Sequence, residues 1–267
     1  MITQREISQV AFQLGMSDKV IEKDYVLTWM LLALADSELA DIVVFKGGTA
    51  LKKIYFPDYR YSEDLDFTVV RETSPEALLD LLQKTLDNLA KDQAFQFAIP
   101  PERIERRTDS LTAYVNFVGP LQARLDGRDI KVDFTLSEKL VFPIKAMAVH
   151  SGYSDMINRT IAAYSLEEIL IEKLCAIIGR TEPRDIYDAH FLCGMKDIDF
   201  YRIADAFRGK AEFKGVDPSR LNNVLERKKL TLARMWDTRL RHQIKDLPHI
   251  EEVLRELKRS FKNQLGL

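Results

Sequence analysis

The chain has 267 residues, of which 46% are hydrophobic and 30% charged, enough for one large domain or two modest ones with ample core. No run of ~18 or more apolar residues offers a membrane span, and two cysteines with four scattered histidines fit neither a disulfide framework nor a zinc centre. The net charge of −2 is uneven: residues 1–195 hold 22 basic against 30 acidic side chains, residues 196–267 hold 17 against 11, so the last part suits a polyanion such as RNA or carries a solvated basic helix face.

The first residues, Met1 to Glu6, lack the charged-then-apolar layout of a signal peptide, and the two cysteines read as those of a cytoplasmic protein. Residues 1–40 read as helices; DKVIEKDYVLTWMLLALADS carries apolar residues at helical spacing, with Ser17 or Asp18 as cap. IVVFKGG is a β-branched run stopped by glycines, a short strand entering a turn. TALKKIYF then reads as a helix capped near Thr49 and ended by Pro57. Gly47 and Gly48 would let backbone N–H groups approach a phosphate at the helix start, and Thr49 would add a hydroxyl. A plain Gly-Gly turn is the simpler reading of that spacing.

RYSEDLDFTVV is the second strand. Its alternation places Asp64 and Asp66 on one face and Leu65, Phe67 and Val69 on the other. Two like charges side by side repel unless a cation lies between them, and Mg²⁺ takes one or two carboxylates plus substrate phosphates. The spacing also fits a two-metal clamp for phosphoryl or nucleotidyl transfer; the alternative is a charged, solvated strand edge. SPEALLDLLQKTLDNLAKD follows as an amphipathic helix with Ser74 as cap and Pro75 in its first turn. Short β-like pieces come next: FQFAI, LTAYVNFVG and DIKVDFTL. In the last, Asp133 is either the salt-bridge partner of Lys131 or a third carboxylate, if this strand lies beside Asp64 and Asp66.

From SLEEILIEKLCAIIGR onward the chain reads as mostly helical. Lys173 falls in the middle of the apolar stripe Leu166, Ile169, Leu170, Leu174 and Ile177, where a lysine is costly without a carboxylate or phosphate partner. Arg180 lies close to the same face. Pro183 starts a further helix with Arg184 and Asp188 one turn apart, which read as a surface pair. Cys175 and Cys193 read as reduced core residues. The expected organisation is α+β: a mixed small sheet with N-terminal helices over 1–150, then a helical part over 151–267.

FKGGTALKKIYF with RYSEDLDF, IKVDF and IEKLCAIIGRTEPRDIYDAHFL resembles the AbiEii/AbiGii-type nucleotidyltransferase toxins, a branch of the DNA polymerase β-like superfamily. IEKDYVLTWML, Ile21 to Leu31, is similar to the family's N-terminal segment. The resemblance spans roughly residues 20–192 and reaches nothing specific beyond about 195. It implies a polymerase β-like core and NTP as substrate. Gly47 and Gly48 would hold the triphosphate with Lys46 or Thr49 near it, and Lys173 would approach the phosphates. Asp64 and Asp66 would bind Mg²⁺ with Asp133 as third carboxylate. Asp188 would belong to the fourth motif, supported by Arg180, Arg184 and Asp185, while Arg60 and Ser62 precede the metal pair. It further implies the toxin of a bacterial toxin–antitoxin or phage-defence system, with a cognate antitoxin and an RNA acceptor such as the tRNA 3′ end. Transfer to a protein or small molecule, and nucleotide binding without turnover, are the competing readings.

Overall fold

The computed structural model describes residues 1–266, which divide into two compact units. The first comprises residues 1–138 with 144–163, the second residues 139–143 with the chain from Tyr164 on.

The first unit opens with α1 (Gln4–Leu14), closed at its start by a reciprocal capping box between Thr3 and Glu6. Ser17 caps α2 (Asp18–Ala35), a helix apolar on nearly every side and correspondingly buried, from Ile21 through Leu34. β1 (Val43–Lys46) runs directly into α3 (Gly47–Ala50), continued by a π turn over Leu51–Tyr55. The helix therefore starts at Gly47 with Lys46 as cap residue, three positions before the cap expected near Thr49. β2 (Asp64–Val69) is the strand expected from alternation. α4 (Pro75–Gln93) is capped by Ser74 with proline in its first turn.

The remaining strands of this unit are β3 (Gln96–Ala98), β4 (Ile104–Arg106), β5 (Ser110–Val118), β6 (Asp129–Thr135), β7 (Lys145–Ala148) and β8 (Thr160–Ala163). All eight join one mixed sheet in the order β3-β5-β6-β2-β1-β8-β7, with β4 on β5. β2 is central: it pairs antiparallel with β1 and parallel with β6. One face is core. Phe45, Phe67 and Phe134 lie across β1, β2 and β6, with ring centroids 5.4 and 5.7 Å apart, and each is fully buried. Burying each such ring contributes roughly 1.5–3 kcal/mol, which holds the three strands in register.

The second unit is helical: α5 (Leu166–Gly179), α6 (Pro183–Cys193), α7 (Phe200–Phe213), α8 (Leu221–Leu240) and α9 (Ile250–Ser260). α5 packs against α6, α7 and α8, and α6 against α8 and α9. Lys228 of α8 donates to the carbonyls of Ile177, Ile178 and Arg180, satisfying acceptors that the end of α5 leaves open. Cys175 and Cys193 are both free thiols in the core. Among the described residues no helix is long and apolar enough to cross a membrane.

Candidate active site

The sheet face opposite the phenylalanines carries the carboxylates. Asp66 of β2 stands in register with Lys46 of β1 on one side and Asp133 of β6 on the other. Asp64, two residues earlier, is level with Lys131. Leu65 and Phe67, fully buried on the reverse face, fix which way the aspartates point. Thus strand pairing brings Asp64, Asp66 and Asp133 onto one patch.

Burial pushes the Asp66 carboxyl up to about 6, and the neighbouring charges of Asp64 and Asp133 add to it, against the opposing pull of Lys131 and Lys46. Asp133 is held by Lys131 at 2.8 Å and accepts a hydrogen bond from the Thr112 hydroxyl at 3.1 Å. Burial works against the Lys131 ammonium, but Asp133, Asp66 and Asp64 outweigh it and raise its pKa. Asp133 is therefore the partner of Lys131, and its strand does lie beside Asp64 and Asp66. Among the described residues, no group of three or more His, Cys, Asp and Glu side chains is already gathered closely enough to hold a metal.

The glycine turn abuts this patch. Gly47 has φ +80°, and a Cβ there would lie 2.5 Å from Oδ2 of Asp66. Only glycine allows both that backbone conformation and that approach. The Thr49 hydroxyl donates to the carbonyl of Asp64 at 2.5 Å and lies 2.6 Å from the Ser62 hydroxyl, so it ties the helix start to the strand start. Ser62 and Arg60 are buried just before Asp64, and Arg60 donates to the Tyr61 carbonyl at 3.1 Å.

Within the helical unit, Lys173 is indeed buried, and its ammonium lies 2.9 Å from Asp185 and 2.8 Å from Asp188. Arg180 adds a fork to Asp185, with Nε at 2.7 Å and a terminal nitrogen at 3.1 Å. Burial pushes the Asp185 carboxyl up, yet Lys173 and Arg180 together hold it below the ordinary value. Asp188 is fully buried at Lys173, so it belongs to a buried lysine–dicarboxylate cluster and not to the surface, and Arg184 lies 3.6 Å from Glu182.

Sequence reasoning passed over a second buried network in the first unit. Asp24 of α2 pairs with Lys53 at 2.8 Å and accepts from the Tyr153 hydroxyl at 2.8 Å, while Lys52 donates to the carbonyls of Pro57 and Tyr59. Its only signal was the pair of lysines inside the otherwise apolar run ALKKIYF. In the second unit Lys210 is completely buried, bonded to Glu168 and to the Lys139 carbonyl, both at 2.8 Å. Glu168 in turn accepts from the backbone of Val141 and Phe142, which makes this network a structural clamp.

Comparison with known proteins gives the family and the fold. A family model described as nucleotidyl transferase AbiEii toxin, type IV toxin–antitoxin system, matches residues 29–262. The match runs far past residue 195, where the sequence motifs ended. MenT4, a nucleotidyltransferase toxin from Mycobacterium tuberculosis H37Rv, shares the fold with a TM-score of 0.69 at 17% identity, the alignment covering 100% of this chain and 90% of that one. JHP933 from Helicobacter pylori aligns with a TM-score of 0.61 at 18% identity over 94% of each chain. No curated protein sequence is similar enough to count as a match.

Proposed function

Because the chain belongs to the AbiEii nucleotidyltransferase toxin family of type IV toxin–antitoxin systems, we propose that it transfers a nucleoside monophosphate from an NTP to a hydroxyl of RNA, the tRNA 3′ end being the acceptor. The observation that carries this reading is the patch of Asp64, Asp66 and Asp133 on adjacent strands with Gly47 packed against the Asp66 carboxylate. The acceptor oxygen attacks the α-phosphorus; a new P–O bond forms, the bond to the β-phosphate breaks, and pyrophosphate leaves.

The donor set fits Mg²⁺. Asp64 and Asp66 are hard oxygen ligands with excess negative charge, and a buried carboxylate crowded by like charges is what a divalent cation relieves. Asp133, paired with Lys131, would be the third carboxylate. When bound, Mg²⁺ polarises phosphate oxygens and acidifies the attacking hydroxyl. The chain's own groups do the rest. Backbone N–H groups at Gly47 and Gly48 meet phosphate at the helix start, and Lys46, beside Asp66, offsets its charge. Thr49 and Ser62 fix the helix start against the strand. The helical unit enters through the resemblance, which assigns Lys173 to nucleotide phosphate and Asp188 to the fourth motif, with Arg180, Arg184 and Asp185 in support.

The same reading makes the protein a cytoplasmic toxin serving phage defence, held in check by a cognate antitoxin. Incubation with each α-labelled NTP, Mg²⁺ and either total RNA or total protein tests it. Label in RNA is the expected result; label in protein alone would replace the acceptor, and no label with any acceptor would remove the enzymatic reading.

A further inference from the structure

Arg220, Arg227, Arg234 and Arg241 recur every seven residues, from the residue that opens α8 to the one that closes it. Seven residues are almost two helical turns, so the four drift by only ~20° per step and form one nearly straight ridge about 31 Å long. All four are exposed, on the side of α8 opposite its buried residues Leu225, Leu232 and Trp236. Only Arg241 forms an ion pair, with Asp237 at 2.7 Å; Arg220, Arg227 and Arg234 form none with a described carboxylate. The other acidic side chain of α8, Glu226, is taken by Lys258 of α9. Asn223, Leu230, Thr231 and Thr238 fill the spaces along the ridge and are exposed too.

We propose that this arginine ridge on α8 docks the sugar–phosphate backbone of an RNA. A stable helix gains nothing from aligning Arg220, Arg227 and Arg234 without ion-pair partners, whereas a polynucleotide offers a complementary row of phosphates. Guanidinium groups suit that partner because their planar fork binds phosphate bidentately. A membrane surface fits poorly, since Leu230 is the one large apolar residue along the ridge and an interfacial helix needs an apolar face. An acidic protein fits poorly for a related reason: the ridge carries no aromatic anchor of the kind that dominates protein interfaces. The docking reads backbone, not base sequence. It rests on the RNA-acceptor reading only for its biological meaning, because the ridge makes its own prediction about binding.

The test is fluorescence anisotropy of full-length protein with a folded tRNA transcript across a salt series. Wild type should bind with log K falling linearly against log salt. The variant R220Q/R227Q/R234Q should lower the steepness of that line by about 2 to 3, roughly one for each phosphate that is no longer neutralised. The lysine counterpart, R220K/R227K/R234K, should keep most of the slope, and unchanged helical circular dichroism shows that the variants fold. Equal slopes for wild type and the glutamine variant would overturn the proposal, as would wild type that fails to bind tRNA. So would a variant that loses phosphatidylserine vesicles or polyglutamate while keeping tRNA. If the slope drops as expected but wild type transfers no label to RNA, the ridge stands and the acceptor assignment falls.

Discussion

Asp66 is where the competing demands on this protein meet. Its carboxylate is crowded by Asp64 and Asp133, lies level with Lys46 and has Gly47 pressed against it. Such a group lowers the stability of the metal-free fold, so Asp66→Asn should raise the melting temperature of the metal-free protein by ~2–4 °C, an effect of about 1 kcal/mol, while abolishing transfer. A calorimetric scan paired with a labelling assay checks both parts; a melting temperature that falls would show that Asp66 is a structural anchor. Gly47→Ala acts on the same close approach from the other side. The left-handed backbone costs roughly 1–2 kcal/mol, and the added methyl must displace the carboxylate. Urea unfolding should show that loss, and transfer should fall by about 100-fold, the scale on which a reacting group moved by ~1 Å is penalised. Unchanged transfer by Gly47→Ala would mean that this close approach has no part in the reaction.

At the scale of elements, the second unit gives a pH prediction. The Lys173 cluster joins α5 to α6 through Asp185 and Asp188. Asp185 is held below the ordinary carboxylate value, so on acidification the unfolded chain takes up its proton first. Its contribution is fully present above about pH 4 and is lost as pH falls through the depressed folded pKa. Asp185→Asn should therefore flatten the acid limb of the stability curve, read by circular dichroism from pH 2 to 6. Lys173→Met takes an ammonium away from two buried carboxylates, Asp185 and Asp188, and should cost about 3–5 kcal/mol in the same measurement. What the sequence displayed at this scale follows from short-range physics. The alternation around Asp64 and Asp66, the caps at Ser17 and Ser74 and the misplaced Lys173 were all legible, because each depends on neighbours within a few residues. The register that sets Asp66 against Asp133 was left conditional, since it is fixed by phenylalanines from three strands distant in sequence. The helix start at Gly47 was missed because a glycine pair reads as a turn until the carboxylate that it must approach is known. The burial of Asp188 was not legible from its spacing to Arg184, because it depends on α5 lying beside α6, which brings Lys173 to it.

For the molecule as a whole, the chain belongs to a nucleotidyltransferase toxin family, and the central proposal is that Asp64 and Asp66 carry its chemistry. The charge asymmetry places the acidic excess in residues 1–195 and the basic excess after them, which is compatible with the proposed polyanionic acceptor. Removing divalent cations with EDTA should stop transfer completely, and added Mg²⁺ should restore it. The most direct measurement joins chemistry to toxicity: α-labelled NTP transfer in vitro and growth arrest on expression, compared between wild type and Asp64→Ala. The account predicts that both vanish together in a variant that still folds. A variant that arrests growth while transferring no label would contradict it.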